Sequence, residues 1–489
     1  MYRNKGTITV FLSLISMLFL SLFCTMAESV RVQAARFQAA AAFDMGLFSI
    51  FGEYDRVLLE EYDLWFLDGS NEEQKIQRSA GDKAGKYIQP NINPRYNLAA
   101  GRSWDVFPTE LDRCTVDKYA LATDHGGQVF YSQAVENQKE LFVGEAASAL
   151  KKNIKQMEEG HQKGEEYQNE EQKADEEYQR AQAAQMEEKK RQESEKENAE
   201  KQEESDTDIK ETEAVQAKVE NPLDQIKKIK SMGILGLVLK DGTVVSDKTI
   251  ERKNLPSERN LQKGSLLVDE ISADPVSEAI FLNYLQKHFQ CAVDEGGKHQ
   301  KGSKEHSLSY ELEYIIGGQK SDRENLKKTV NRILLIREGM NYATLAKSAK
   351  MRGEAMALAA AITGAAALPE FAGALQKLLM LAWAYGESLL DVRTLLAKGK
   401  VPMLKAETEW KLPLEKLGML AEVLKECDAG GGNGQSYEDY LSGLLILGKK
   451  QQRNLRVLDL IECNRRMEKG GETFRVDALA GTGRGKCRL

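Results

Sequence analysis

The sequence predicts an α+β protein that is mostly helical. It has an N-terminal transmembrane and stem helix, a helix-rich extracytoplasmic domain with a small antiparallel β-sheet, and a long charged spacer, helical or disordered. Three observations predict it. From Thr7 to Ala27 no residue is ionisable except Cys24. Thirteen of the twenty residues from Met186 to Ser205 are charged, with both signs interleaved. Beyond Ser265, apolar residues recur at the spacing of a buried helix face.

The apolar run comes first. At about 1.5 Å per helical residue it covers roughly 30 Å, the thickness of a bilayer core. A secretory h-region is shorter, about 7–15 residues, which favours an anchor that is kept. Thr25-Met26-Ala27 also fits a signal-peptidase site, so cleavage after Ala27 stays open. Bulky Phe23 disfavours a lipoprotein reading of Cys24. Arg3 and Lys5 precede the run and hold that end in the cytoplasm, placing everything after Glu28 outside. The expected lipid contact is residues 8–27. No Pro follows before Phe51, and the first Gly is Gly46, so the helix should leave the membrane unbroken.

Two sets of residues carry a resemblance. "KGTITVFLSL" and an apolar run closing in Glu28-x-x-Arg31 resemble the start of pseudopilins of the tight-adherence (Tad) pilus system. That resemblance implies a pilin-like stem and cleavage by a prepilin peptidase between Gly6 and Thr7. It also implies pilin-like subunits or a pilus assembly platform as partners. The family places Glu five residues after the cut, for subunit assembly; here Phe11 stands there. Further along, "EYDRVLLEEYDLWFLDGS", "NPLDQIKKIKSMGILGLVLKDG", "DRENLKKTVNRILLIREGMNY" and "LLAWAYGESLLDVRTLLAKGKVP" resemble a family of uncharacterised single-pass proteins from Gram-positive bacteria. Members of it accompany pilus-assembly components and have no assigned activity.

The expected organisation is a cytoplasmic N-terminus at 1–6, the transmembrane and stem helix at 7–50, and a first extracytoplasmic part at 51–149. A charged spacer follows at 150–220, then a helix-rich part at 221–489. In the first part, "YDRVLLEEYDLWFL" reads as a helix before a turn at "DGSN". "KYALATDHGGQVFYSQAV" reads as two strands around a Gly-rich turn. In the spacer, Ile154, Met157, Tyr167 and Tyr178 look too sparse for sustained heptads. Hairpins expected on both sides of it favour one interrupted domain, so deletion of roughly residues 155–215 is expected to leave a folded domain.

Order resumes at Pro222, whose helix should turn Ile226 and Ile229 inward. "ILGLVL", Lys240-Asp241-Gly242 and "TVV" read as strand, turn and strand. Ser321-Asp322-Arg323-Glu324 is a capping box, followed by Leu326, Val330, Ile333 and Leu334 on one face. Ser436 opens another helix with Tyr437, Leu441, Leu444 and Leu445 inward, and Leu455, Leu458 and Ile461 continue the pattern. Ala355 to Leu368 is a run of 14 residues, short of the roughly 20 needed to span a bilayer. With Pro369 starting a new segment, two Ala-rich helices packed inside a domain are expected.

Motifs for chemistry are weak. "AGTGRGKCRL" fails as a phosphate loop, with Ala480 for the first Gly, Cys487 for Ser or Thr, and no helix after it; it reads as a flexible basic tail. "GGGNG" has no strand before it and reads as a linker. Cys291, Asp294, His299 and His306 lack the short paired spacings of a metal site. Asp124 and His125 are neighbours, and adjacent strand residues face opposite ways. Glu60-Glu61 and Glu438-Asp439 look like helix surface and cap. Outside the membrane run lie Cys114, Cys291, Cys427, Cys463 and Cys487, an odd set without CxxC, compatible with one or two disulfides or with buried thiols. A net charge of -7 without a basic tract disfavours nucleic acid.

The expected function is therefore a membrane-anchored, non-enzymatic surface protein without cofactor, metal or small-molecule ligand. Its reading as a pseudopilin-like component or accessory of a Tad-type pilus stands first. A single-pass envelope module unrelated to pili is the alternative, and an extracytoplasmic enzyme the third.

Overall fold

The computed structural model describes residues 5–69, 76–92, 96–98, 102–104, 110–139, 144–200, 221–266, 274–293, 305–365, 371–427 and 432–488. The chain begins with α1 (Lys5–Phe51), α2 (Arg56–Tyr62), β1 (Leu67–Asp68), α3 (Ile76–Ile92), β2 (Tyr96–Leu98) and β3 (Arg102–Trp104). Next come β4 (Arg113–Leu121), α4 (Asp124–Lys139), α5 (Gly144–Glu200), α6 (Pro222–Ser231), α7 (Ile234–Val238) and α8 (Pro275–His288). The remainder holds α9 (Glu311–Gly317), α10 (Asp322–Lys347), α11 (Ala349–Ala365), α12 (Ala372–Leu396) and α13 (Leu420–Glu426). It closes with α14 (Tyr437–Leu447), α15 (Lys450–Met467) and β5 (Leu479–Arg488).

These elements form two compact units. The first takes Met1–Asn137, Lys253–Ser272 and Ile461–Leu489; the second takes Gln138–Arg252 and Ala273–Leu460. The boundaries expected at 149 and 221 are not where the chain divides. The cause is strand pairing, because the first unit's sheet draws on both ends of the chain.

In the first unit, α1 is one unbroken helix of 47 residues. Its far end packs on α3, with Ala42 buried among Ala84, Ile88 and Ile92. Gly46 permits this approach, since a Cβ there would lie 2.3 Å from Ile88 Cγ1. Gln38 Nε2 donates to the Asn91 carbonyl at 2.9 Å.

The sheet is antiparallel in the order β1-β5-β4. This corrects the reading of the last ten residues as a flexible tail: they supply the central strand. Leu67 pairs with Ala480 on one side, and Leu121 with Ala480 and Cys114 with Cys487 on the other. The glycines serve fit, since a Cβ on Gly481 would sit 2.9 Å from Phe66 and 3.0 Å from Val129. Arg259 fastens the middle segment to the same unit through Glu462, at 2.6 and 2.8 Å, and Asp477, at 2.6 Å.

The hairpin expected around Asp124 is a strand followed by a helix. His125, Gly126 and Gly127 all have positive φ, at 52°, 71° and 83°, and turn the chain directly from β4 into α4. Phe130 and Ala134 are fully buried, with Tyr131 and Val135 beside them, which is helical spacing. The β-branched and aromatic composition of "QVFY" had masked that period.

In the second unit, α5 overturns the spacer reading over its first half. Asn153, Met157, Gly160, Gly164, Tyr167 and Ala174 are buried, and Tyr178 is half-buried. Their steps of four, three, four, three, seven and four make a 3.5-residue repeat. Large residues alone looked sparse because glycines fill the missing positions. A Cβ on Gly160 would meet Ile336 Cγ2 at 2.7 Å, and one on Gly164 would meet the Leu335 carbonyl at 2.7 Å. Residues 155–178 are thus core, and their deletion removes part of it. Residues 201–220 lie outside the described residues.

Other expectations hold or shift locally. "ILGLVL" is one helical turn, α7, because Ile234, Leu237 and Val238 turn inward together. The turn after it exists, with Gly242 at φ 85° and Thr243 N donating to the Lys240 carbonyl at 3.0 Å. Asn221 caps α6, and Ile226 and Ile229 are buried. Ser321 caps α10 by accepting from Glu324 N, and Leu326, Val330, Ile333 and Leu334 are buried. Ser436 and Asp439 form a reciprocal capping box on α14, with Tyr437, Leu441, Leu444 and Leu445 buried. Leu458 and Ile461 are buried and Leu455 half-buried. The Ala-rich run gives α11 and α12, which pack on each other; Pro369 lies outside the described residues.

Candidate functional site

The first candidate is the helix that begins the chain. Every residue from Gly6 to Gln33 is exposed. The helix contains an 18-residue window of mean hydropathy 2.3, none of it buried. It is long and apolar enough to cross a membrane. Gly6 and Thr7 lie in its first turns, exposed, with the Thr9 hydroxyl donating to the Gly6 carbonyl at 2.9 Å. Phe11 is 63% exposed, on the open helix. Lys5 begins the helix, and Arg3 lies outside the described residues.

The second candidate is a cavity of about 500 Å³ in the first unit. Phe43, Leu47 and Ile50 of α1 form one wall, Ala84 of α3 another, and Val116 of β4 with Gly483 of β5 the floor. It exists because β5 presents Ala480-Gly481-Thr482-Gly483 to the stem, four small residues in sequence. The lining is mostly apolar; its polar side chains are Thr115, Tyr119, Thr482 and Arg484, with no His, Asp or Glu among them.

The third is a buried ionic network in the second unit, which inspection of motifs did not reveal. Arg337, Glu387 and Asp391 are fully buried and Lys405 nearly so. Arg337 donates to Asp391 Oδ2 through Nε at 2.9 Å and Nη2 at 2.8 Å, and to the Pro402 and Met403 carbonyls at 3.0 and 2.9 Å. Lys405 pairs with Asp391 Oδ1 at 2.5 Å and with Glu387. Glu387 also accepts from the backbone of Lys411 and Leu412. Two cations and two anions balance.

Burial works against charge on Arg337 and Asp391. Their mutual attraction wins, raising the guanidinium and lowering the carboxyl, with Lys405 assisting the latter. Burial, with Asp391 nearby, still pushes Glu387 up. The signal was present in "WAYGESLLDVR": two carboxylates, at 387 and 391, on one face of an otherwise apolar helix. Such a network, closed to solvent, fixes α10, α12 and the 402–405 segment together.

Two further carboxyls stand out. Burial pushes Glu313 up to about 7, although it accepts from Ala292 N at 2.9 Å and Tyr437 Oη at 2.8 Å. Burial pushes Glu338 up to about 8, opposed by Lys230 and reinforced by Glu171.

The weaker motifs fall into structural roles. Asp124 accepts from Leu121 N at 2.7 Å and Gly264 N at 2.9 Å, tying the middle segment to β4. His306 contacts Glu311 at 2.8 Å, and Cys291 Sγ donates to the Val293 carbonyl. Asp294 and His299 lie outside the described residues. Among the described residues no three His, Cys, Asp or Glu side chains gather as metal ligands. Glu60 and Glu61 lie on α2, and Asp439 is the α14 cap partner. Gly432 and Gly434 adopt φ of 115° and 130° as the chain enters its two hydrogen bonds between Val401 and Gln435. Cys114 is disulfide-bonded, and the strand register sets Cys487 opposite it. Cys24, Cys291, Cys427 and Cys463 remain thiols.

Fold and site together define a helical protein with one exposed apolar N-terminal helix and a terminal-strand sheet. A family model matches residues 212–485, so the chain belongs to that family, DUF5702, a family of unknown function. No curated protein and no solved structure shows significant similarity to it.

Proposed function

We propose that the protein is a membrane-anchored, non-enzymatic surface component. Residues 8–27 hold it in the bilayer, its amino end in the cytoplasm beside Arg3 and Lys5. It acts by protein–protein contacts, as a pseudopilin-like part or accessory of a Tad-type pilus or secretion system. One observation carries the reading: α1 runs unbroken from a wholly exposed apolar half into a half that packs on α3. An apolar surface of that extent is stable only in lipid or against other such helices. The disulfide at Cys114 supports placing the body on the oxidising side.

Phe11 favours a second reading, a single-pass envelope module unrelated to pili, since no carboxylate is offered where pilins use one. Mass spectrometry of the N-terminal peptide, on protein from the native envelope, separates the two. A chain beginning at Thr7 supports prepilin-type processing after Gly6. A chain beginning at Met1 or Tyr2 makes it an ordinary anchor and promotes the second reading.

A further inference from the structure

The far half of α1 carries a second apolar face that the described residues of its own unit leave exposed. Phe48 is 83% exposed and Phe37 78%, with Met45 at 55% beside them. Phe37 and Phe48 are eleven residues apart, about three turns, so they stand in line on one face. The cavity opens on a different face of the same helix, roughly 130° round, where Phe43, Leu47 and Ile50 point.

We propose that Phe48 of one copy inserts into the stem cavity of a second copy, side by side in the membrane. This deepens the surface-component reading and rests on it. Three features argue for a copy of this chain as occupant. The cavity is mostly apolar and about 500 Å³, more than a phenyl ring needs, and the exposed ring is apolar. The knob and the cavity's stem wall both lie in residues 43–51, within about 8 Å of one another along the helix. Two chains anchored by the same apolar segment stand parallel at the same height, so the knob of one faces the cavity of the next without axial shift. A lipid tail is less suited, because Phe43 stands about 24 Å beyond Ala27 along the helix. Knob and cavity occupy different faces, so the contact is head-to-tail: each added copy leaves one knob and one cavity open until a ring closes.

The test uses the full chain in native membranes, with a photo-reactive benzoylphenylalanine in place of Phe48. Light and heavy isotope-labelled copies are expressed together. The expected result is a ladder of multimers of this chain alone, with mixed-label peptides joining position 48 to residues 43–51 or 479–484. Gly483→Leu should abolish the ladder by filling the cavity. A Cβ there meets nothing closer than the Lys118 carbonyl at 3.4 Å, so the fold has room for it. Leu47→Trp fills the cavity from the stem side and serves if the first variant does not fold. A ladder that persists in the filled, folded variants overturns the proposal, as does a product cross-linked only to lipid or only within one chain. Cross-linking to a different envelope protein also overturns self-pairing, while leaving the surface-component reading intact. Loss of the membrane fraction by the unmodified chain would instead remove that reading itself.

Discussion

Gly164 of α5 and Gly339 of α10 meet backbone to backbone: a Cβ on Gly339 would lie 2.3 Å from the Gly164 nitrogen. Glycine within a helix costs about 1 kcal/mol relative to alanine, so two facing one another mark a contact that requires them. Gly339→Ala should destabilise by about 1–3 kcal/mol through overpacking. Gly353 of α11 has open space around its Cβ position and serves as the control. Urea midpoints of the purified full chain, with and without each substitution, check it; equal midpoints would refute the close crossing.

The ionic network predicts a larger effect. Asp391→Asn leaves Arg337 and Lys405 buried with one anion, and should cost about 3–5 kcal/mol. Replacing Arg337 by Met as well should recover part of that loss, because the orphaned charge is gone. A double-mutant cycle on thermal or urea unfolding reads both, and strictly additive losses would argue against direct pairing.

Glu313 and Glu338 set a pH dependence of definite sign. Their folded values, about 7 and about 8, lie above the ordinary 4.5, so the native state holds the proton more tightly. Stability from these groups is complete below about pH 4.5 and falls as pH rises, by about 1.4 kcal/mol per unit for each group. The loss ends near pH 7 for Glu313 and near pH 8 for Glu338. Glu338→Gln should flatten the decline, leaving the variant more stable than the parent at pH 8. A parent whose stability rises steadily from pH 5 to 8 with no effect of the substitution would reject this.

Thiol counting tests the sheet and the compartment together. Protein taken from the envelope under non-reducing conditions should alkylate at Cys24, Cys291, Cys427 and Cys463. Digestion should release a peptide pair joining Cys114 to Cys487, the residues that the strand register opposes. Six reactive thiols would mean that the strand end is not stapled and would weaken the outside placement.

Much of this was legible in the sequence for local reasons. A residue run without charge, a Ser with an acid three residues on, or a Pro behind an Asn acts on its immediate neighbours, and α1, α10, α14 and α6 follow from such signals. The strands did not, because "TVV" and "QVFY" have strand composition without strand partners. The terminal glycines gained order only from β4, more than 350 residues earlier in the chain. The candidate site divides the same way. Gly6, Thr7 and Phe11 were singled out by the resemblance of one contiguous stretch, "KGTITVFLSL". The stem cavity needed α1, α3, β4 and β5 brought together.

The sequence by itself determined the apolar helix, the caps and the mostly helical character, since hydropathy and hydrogen bonding to near neighbours are local. Only the tertiary structure decided that the charged segment is core as far as Tyr178, that the last strand is central, and that Arg337 is paired. Those outcomes depend on which distant surface arrives opposite a glycine, a strand edge or a buried charge.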